Sequence, residues 1–102
     1  MNTWTDSKTG LEWQVDPPVD RMNYSKAEKY ASDLGDGWRL PTRKELIGIT
    51  GGNRPKELKG KDWFWSSLPV GGGAVYRWLV LFLTGHVSVG HVSSVFYVRC
   101  VR

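Results

Sequence analysis

The sequence predicts an α+β fold in which two short helices pack on antiparallel hairpins. Three observations carry that prediction. Two Ser/Thr-x-x-Glu pairs, Ser25/Glu28 and Thr42/Glu45, stand in front of apolar-periodic stretches, the pattern that opens a helix. Runs of alternating, β-branched or aromatic residues bounded by Gly and Pro flank these stretches on both sides, as strands in hairpins do. Strand and helix signals do not alternate as a parallel βαβ sheet would require. At 102 residues there is room for one domain, spanning residues 1–102.

The elements follow in order. Trp4 lies in a short extended run, Ser7 to Gly10 supplies a turn, and Leu11 to Val15 alternates. Leu11, Trp13 and Val15 are therefore expected inward, with Glu12 and Gln14 facing water. Asp16-Pro17-Pro18 stops the strand, because proline has no ladder N–H. Ser25 is the expected N-cap of the first helix. Ala27, Tyr30, Ala31 and Leu34 repeat on one face, and Gly35 takes the left-handed position past its end. Pro41 biases Leu40 to an extended conformation. Thr42 then caps a second helix from Arg43 to about Ile49, with Leu46, Ile47 and Ile49 apolar. Trp63 to Ser67, Ala74 to Leu83, His86 to Val89 and Val95 to Val101 read as strands. Pro69 and Gly71-Gly72-Gly73 break the first of these, and Gly90 interrupts the third.

Six tryptophans and a single cysteine mean that aromatic packing, not an intrachain disulfide, must hold this small core. Trp13, Trp38, Trp63 or Trp65, and Trp78 are the expected anchors. The net charge of +4 is uneven. Residues 52–102 carry seven basic side chains against two acidic ones, Glu57 and Asp62, and no carboxylate side chain follows Asp62. That half cannot supply the paired carboxylates of a glycosidase or a carboxylate cage for calcium. Arg54, Lys56, Lys59 and Lys61 form a basic cluster. Pro55 and Gly60 make it irregular, so it reads as a solvated loop or as an attractor of anionic polymers, and nucleic acid is disfavoured. No apolar run approaches a membrane span. The first residues lack a signal-peptide pattern. The chain is thus expected in the cytoplasm, or outside the cell if an export signal lies beyond this stretch, or on a virion if it is a phage structural protein.

Four ordered motifs carry a family resemblance. They are Thr9-Gly10-Leu11-Glu12-Trp13-Gln14, then Gly37-Trp38-Arg39-Leu40-Pro41-Thr42-Arg43-Lys44-Glu45-Leu46, then Trp65-Ser66-Ser67, and finally Val98-Arg99-Cys100-Val101-Arg102. Together they resemble the Lcl carboxy-terminal domain family, a bacterial and phage domain named for a collagen-like adhesin. The resemblance implies a C-type-lectin-like fold with its N- and C-terminal strands paired. It also implies kinship with sulfatase-modifying enzymes and with hypervariable phage receptor-binding proteins. Most members have no defined activity, and the adhesin is associated with sulfated polysaccharide. In such a domain Trp38 and Leu40 anchor the core, and Arg39 points to a polar partner. Trp13, Trp38, Arg39, Leu40, Pro41, Thr42, Glu45, Trp65, Arg99 and Cys100 are then framework residues, and Ser66 and Ser67 cap local backbone. The acidic Pro-containing loop and Trp-Asn-Asp motif of calcium-dependent lectins are missing. One cysteine also cannot supply the reactive pair of the sulfatase-modifying relatives. Cys100, in an apolar strand, reads as an inert thiol.

No catalytic constellation emerges. His86 and His91 lack a third metal ligand, and Gly71-Gly72-Gly73 lacks the Lys-Ser/Thr tail of a phosphate loop. No metal or cofactor is expected. The resemblance instead puts a ligand face between the middle strands, with Tyr76, Arg77, His86, Ser88 and His91 as its candidates. Trp78 is expected inward, whereas Arg77, His86 and His91 either meet a ligand or are simply solvated. The expectation is a calcium-independent, non-catalytic module for a glycan or a protein. The alternative is a phage- or mobile-element-encoded module that acts on a host protein inside the cell.

Overall fold

A computed structural model describes residues 1–102. The chain opens with a hairpin of β1 (Thr3–Thr5) and β2 (Glu12–Gln14), Trp4 opposite Trp13. Asp6 organises its turn by accepting the Lys8 N–H at 2.8 Å. The free side of β2 takes the C-terminus. Glu12 and Arg102 exchange backbone hydrogen bonds of 2.8 and 2.9 Å, and Trp13 stands opposite Val101. The two ends therefore pair, as expected.

Helix α1 (Tyr24–Leu34) is capped by Asn23, whose side-chain oxygen accepts the Lys26 N–H at 2.9 Å. Ser25 is thus not the cap. Asn caps at least as well as Ser, and starting two residues earlier carries Tyr24 into the buried stripe with Ala27 and Ala31. Gly35 ends the helix at φ 66°. Helix α2 (Arg43–Ile47) opens with the expected reciprocal cap. Thr42 Oγ1 accepts the Glu45 N–H at 3.2 Å, and Glu45 Oε1 accepts the Thr42 N–H at 2.8 Å. Leu46 and Ile49 are buried while Ile47 is not.

The second sheet is β3 (Trp63–Pro69), β4 (Tyr76–Leu81) and β5 (Val87–His91), antiparallel in that order. Pro69 lies inside β3, beyond an irregularity that follows Trp65, where the ladder does not need its N–H. Gly90 belongs to β5, opposite Arg77. It does not interrupt the strand but lets it pack: a Cβ there would fall 2.7 Å from the Phe96 ring and 2.9 Å from Leu79. Residues 95–101 are not a continuous strand. They bridge Met22, Phe64, Arg39 and Trp13 in turn, because this stretch threads the middle of the domain and meets a different neighbour at each step.

Alternation along the strands produces two cores. One side of the sheet sets Trp65 and Leu79 against Tyr24, Ala27 and Ala31 of α1, with Trp38, Leu40, Val98 and Cys100. The other sets Phe64 and Val80 against Leu46, Ile49 and Trp13, with Phe82 and Val101. Trp13, Trp38 and Trp65 are buried. Trp78 is only half-buried, a departure from its expected place, because the Arg43 guanidinium stacks over its ring at 4.3 Å and keeps one face near water. Gln14 departs further. It is buried, accepting the Cys100 N–H at 2.8 Å and contacting Tyr30 Oη at 2.7 Å. The C-terminal stretch covers what strand alternation alone would leave wet. No helix is long and apolar enough to cross a membrane.

Candidate functional site

The Trp38–Glu45 motif builds one wall of a cleft. Asp36 and Gly37 both have positive φ, 54° and 83°, which reverses the chain after α1. The next residues are held from both sides. Arg39 and Val101 exchange backbone hydrogen bonds of 3.0 and 2.9 Å, and Pro41 C=O accepts the Ser67 N–H at 2.8 Å. The Arg39 guanidinium forks onto Glu45, Nη1 to Oε1 and Nη2 to Oε2, both at 2.8 Å. That bond first, and the Thr42 N–H after it, hold the Glu45 carboxyl below its ordinary range, with burial opposing them. The motif thus closes on itself, and the charge of Arg39 is matched within it.

Opposite this wall stands α1, which presents Tyr24, Glu28, Ala31 and Ser32 along one stripe. Ser67 and Arg77 close the end, giving a cavity of about 580 Å3. Tyr24 and Trp38 form aromatic flooring, while Ser32 and Thr42 contribute hydroxyls. Arg77 is a cation of the cleft that forms no ion pair, although Glu28 lines the same cavity. Its guanidinium lies 4.4 Å over the Tyr24 ring, and its buried Nε has no hydrogen-bond partner. Tyr24 donates to Ser67 C=O at 3.2 Å. Burial first, then the Glu28 charge, push its phenol above the ordinary value, with Arg77 opposing. It is therefore a neutral donor at physiological pH. A guanidinium without an ion pair, set over the Tyr24 ring in a cleft with two hydroxyl side chains, suits a small anion-bearing, hydroxyl-rich group.

The candidate set Tyr76, Arg77, His86, Ser88 and His91 is not brought to one place. Arg77 and Ser88 share the α1 side of the sheet, whereas Tyr76 and His91, paired in register, share the α2 side. Tyr76 and His91 meet edge to face at 5.4 Å. His86 and His91 are exposed and each sits on a hydroxyl two residues away, Thr84 at 2.6 Å and Ser93 at 2.7 Å. Of the five, only Arg77 lines the cleft. The cleft residues Tyr24, Glu28 and Ser32 were not anticipated. Their signal is the spacing of Tyr24, Ala27, Glu28 and Ala31, one helical stripe.

Arg54, Lys56, Lys59 and Lys61 are exposed on the loop before β3. Lys59 and Lys61 line a second cavity of about 450 Å3, where they face Asp16, Glu57 and Asp62. Arg99 anchors the loop from below. Its side chain is fully buried, donating to Gln14 C=O at 3.1 Å and to Lys59 C=O, with the Phe82 ring 4.9 Å away. Desolvation pushes its pKa down to about 10. Cys100 beside it is buried and free, and burial pushes its thiol up to about 12. Ser66 caps nothing: its hydroxyl is buried without a partner. The Ser67 backbone carbonyl, not its hydroxyl, is what the cleft uses.

The family model of the Lcl C-terminal domain matches residues 2–102, essentially the whole chain. The chain belongs to the Lcl C-terminal domain family. No curated protein matches it. Within the matched stretch, the Trp38–Glu45 motif walls the cleft and Val98–Arg102 ties the ends of the domain together.

Proposed function

We propose that this Lcl C-terminal domain is a non-catalytic, calcium-independent module that binds an anionic glycan. The observation that carries the reading is Arg77, without an ion pair, in a cleft floored by Tyr24 and Trp38 and rimmed by Ser32 and Thr42. Sugar hydroxyls meet Ser32 and Thr42, while a sulfate or carboxylate substituent meets the guanidinium. The C-type-lectin-like fold implied by the family resemblance is compatible with two helices around antiparallel sheets, and the adhesin that names the family is associated with sulfated polysaccharide. The exposed Arg54–Lys61 loop adds long-range attraction for the same ligand.

A titration of heparin-derived hexasaccharide, followed by tryptophan fluorescence and calorimetry, tests this. Binding is expected to weaken with added salt, to ignore EDTA, and to fall about ten-fold in Arg77→Met, the loss of one charge-assisted contact. Neutralising Lys56, Lys59 and Lys61 together should slow association more than it changes the cleft contacts. Full-strength binding by Arg77→Met, or binding that EDTA abolishes, would sink the proposal.

A further inference from the structure

The sheet has one bare margin. The outer side of β3 is covered by the C-terminal stretch, where Trp65 N–H donates to Tyr97 C=O and Tyr97 N–H to Trp63 C=O, both at 3.0 Å. Nothing covers β5 in this way. Leu81 N–H bonds His86 C=O and Val92 N–H bonds Val75 C=O, each at 2.8 Å. In that register His86, Ser88 and Gly90 turn their backbone groups toward β4, while the Val92 C=O, past the end of β5, accepts the Tyr24 N–H at 3.2 Å. Val87 and Val89 must turn theirs outward, and no hydrogen bond to either residue's N–H or C=O is formed there.

Their side chains lie on the α2 side and are 39% and 43% exposed, beside Tyr76 at 47%. On the same face the Arg43 guanidinium covers Trp78. Soluble proteins usually guard such an edge with a charge, a proline or a bulge. The segment Val87-Ser88-Val89-Gly90-His91 has none of these.

We infer that β5 is a docking edge for an extended acidic segment of a partner protein, which adds to the sheet as a fourth strand. This goes beyond the glycan reading and uses a different part of the molecule. The backbone groups of Val87 and Val89 supply the pairing, and the Val87–Val89–Tyr76 shelf takes alternate apolar side chains. Charge complementarity selects the partner. No carboxylate side chain follows Asp62, Arg43 on this face has no ion pair, and His86 and His91 frame the strand. The β5 of a second copy would bring no carboxylate to this margin, so an acidic partner fits better.

The test titrates the full chain with a terminally blocked octapeptide of alternating Ile and Glu, beside its Ile/Lys counterpart, while backbone amides are followed by NMR. The Glu peptide should shift the Val87 and Val89 amides and protect them from exchange, and the Lys peptide should bind at least ten-fold more weakly. Val89→Pro removes an outward N–H but no β4–β5 ladder bond, and is expected to weaken binding about ten-fold. Val87→Glu, an exposed change that repels the peptide, should do the same if the proline variant folds poorly. Equal binding of both peptides, or unmoved Val87 and Val89 amides, overturns the proposal. Protection of those amides that rises with protein concentration alone overturns it in favour of self-association.

Discussion

The two sides of the β3–β4–β5 sheet come from alternate residues of the same strands, yet they end differently. On one side Trp65 and Leu79 are roofed by α1 and by Phe96, and cover reaches as far as Gly90 on the edge strand. On the other, Phe64 and Val80 are roofed by α2. Eleven residues make α1 about 16 Å long, and five make α2 about 7.5 Å. The longer helix has enough surface to cover a core and still wall a cleft. The shorter one stops before the sheet does and leaves Val87 and Val89 in water. Helix length, set by where the caps fall, thus decides which part of each face is available for binding.

The sharpest way to break this comparison is to remove neighbouring aromatics that face opposite sides. Trp65 is fully buried, meets Tyr24 and Phe96 edge to face at 5.4 and 5.0 Å, and donates to Met22 C=O at 2.8 Å. Trp65→Ala should destabilise the domain by about 4 kcal/mol or more, since it leaves a large cavity and an orphaned carbonyl. Phe64→Ala, with no polar partner to lose, should cost about 3 kcal/mol. Urea denaturation midpoints rank the two. A larger loss at Phe64 would make the α2 side the principal core.

What was legible in the sequence follows the same division. The α+β class, the Thr42–Glu45 cap and the end of α1 at Gly35 rest on local chemistry, and all are found; the paired termini, also found, came from the family resemblance. The Asn23 cap was missed because Ser25/Glu28 offers an equally good local pattern; only the burial of Tyr24 decides between them. Gln14 and Trp78 were misplaced because strand alternation knows nothing of a third layer, here the C-terminal stretch over Gln14 and the α2 arginine over Trp78. Arg77 was singled out from its strand, but Tyr24 and Glu28, which line the same cleft, lie about 50 residues away in sequence, and no periodicity links them. His86 and His91 were candidates for one ligand face, yet each sits on its own neighbouring hydroxyl, Thr84 and Ser93, and neither lines the cleft.

Arg99 tests how far the C-terminal stretch, rather than either helix, holds the basic loop. It is a buried cation without a carboxylate partner, and its donations to Gln14 and Lys59 carbonyls are what tie that loop down. Arg99→Met keeps the apolar volume against Phe64 and Phe82 but orphans both carbonyls. The expected loss is about 2 kcal/mol, because relief of the buried charge offsets part of the broken hydrogen bonding. Amide exchange at Leu58 to Lys61 should rise ahead of global unfolding. Uniform exchange across the chain would mean the loop is held by Leu58 alone.

The smallest effect concerns the fork that closes the cleft wall. Glu45 titrates below its ordinary value of 4.5 in the folded chain, chiefly through Arg39. A depressed carboxylate binds its proton more readily when unfolded. Its contribution is therefore whole above about pH 4.5 and fades as pH falls through the lower folded value. Thr42→Ala, which removes the capping hydroxyl but leaves the fork, should cost about 1 kcal/mol at neutral pH and keep the acid sensitivity. Glu45→Gln should lose a similar amount at pH 7 but flatten the decline between pH 5 and 3. Denaturation midpoints across that range separate the two contributions. A decline as steep in Glu45→Gln as in the parent chain would show that other carboxylates, not the Arg39–Glu45 fork, carry the acid response.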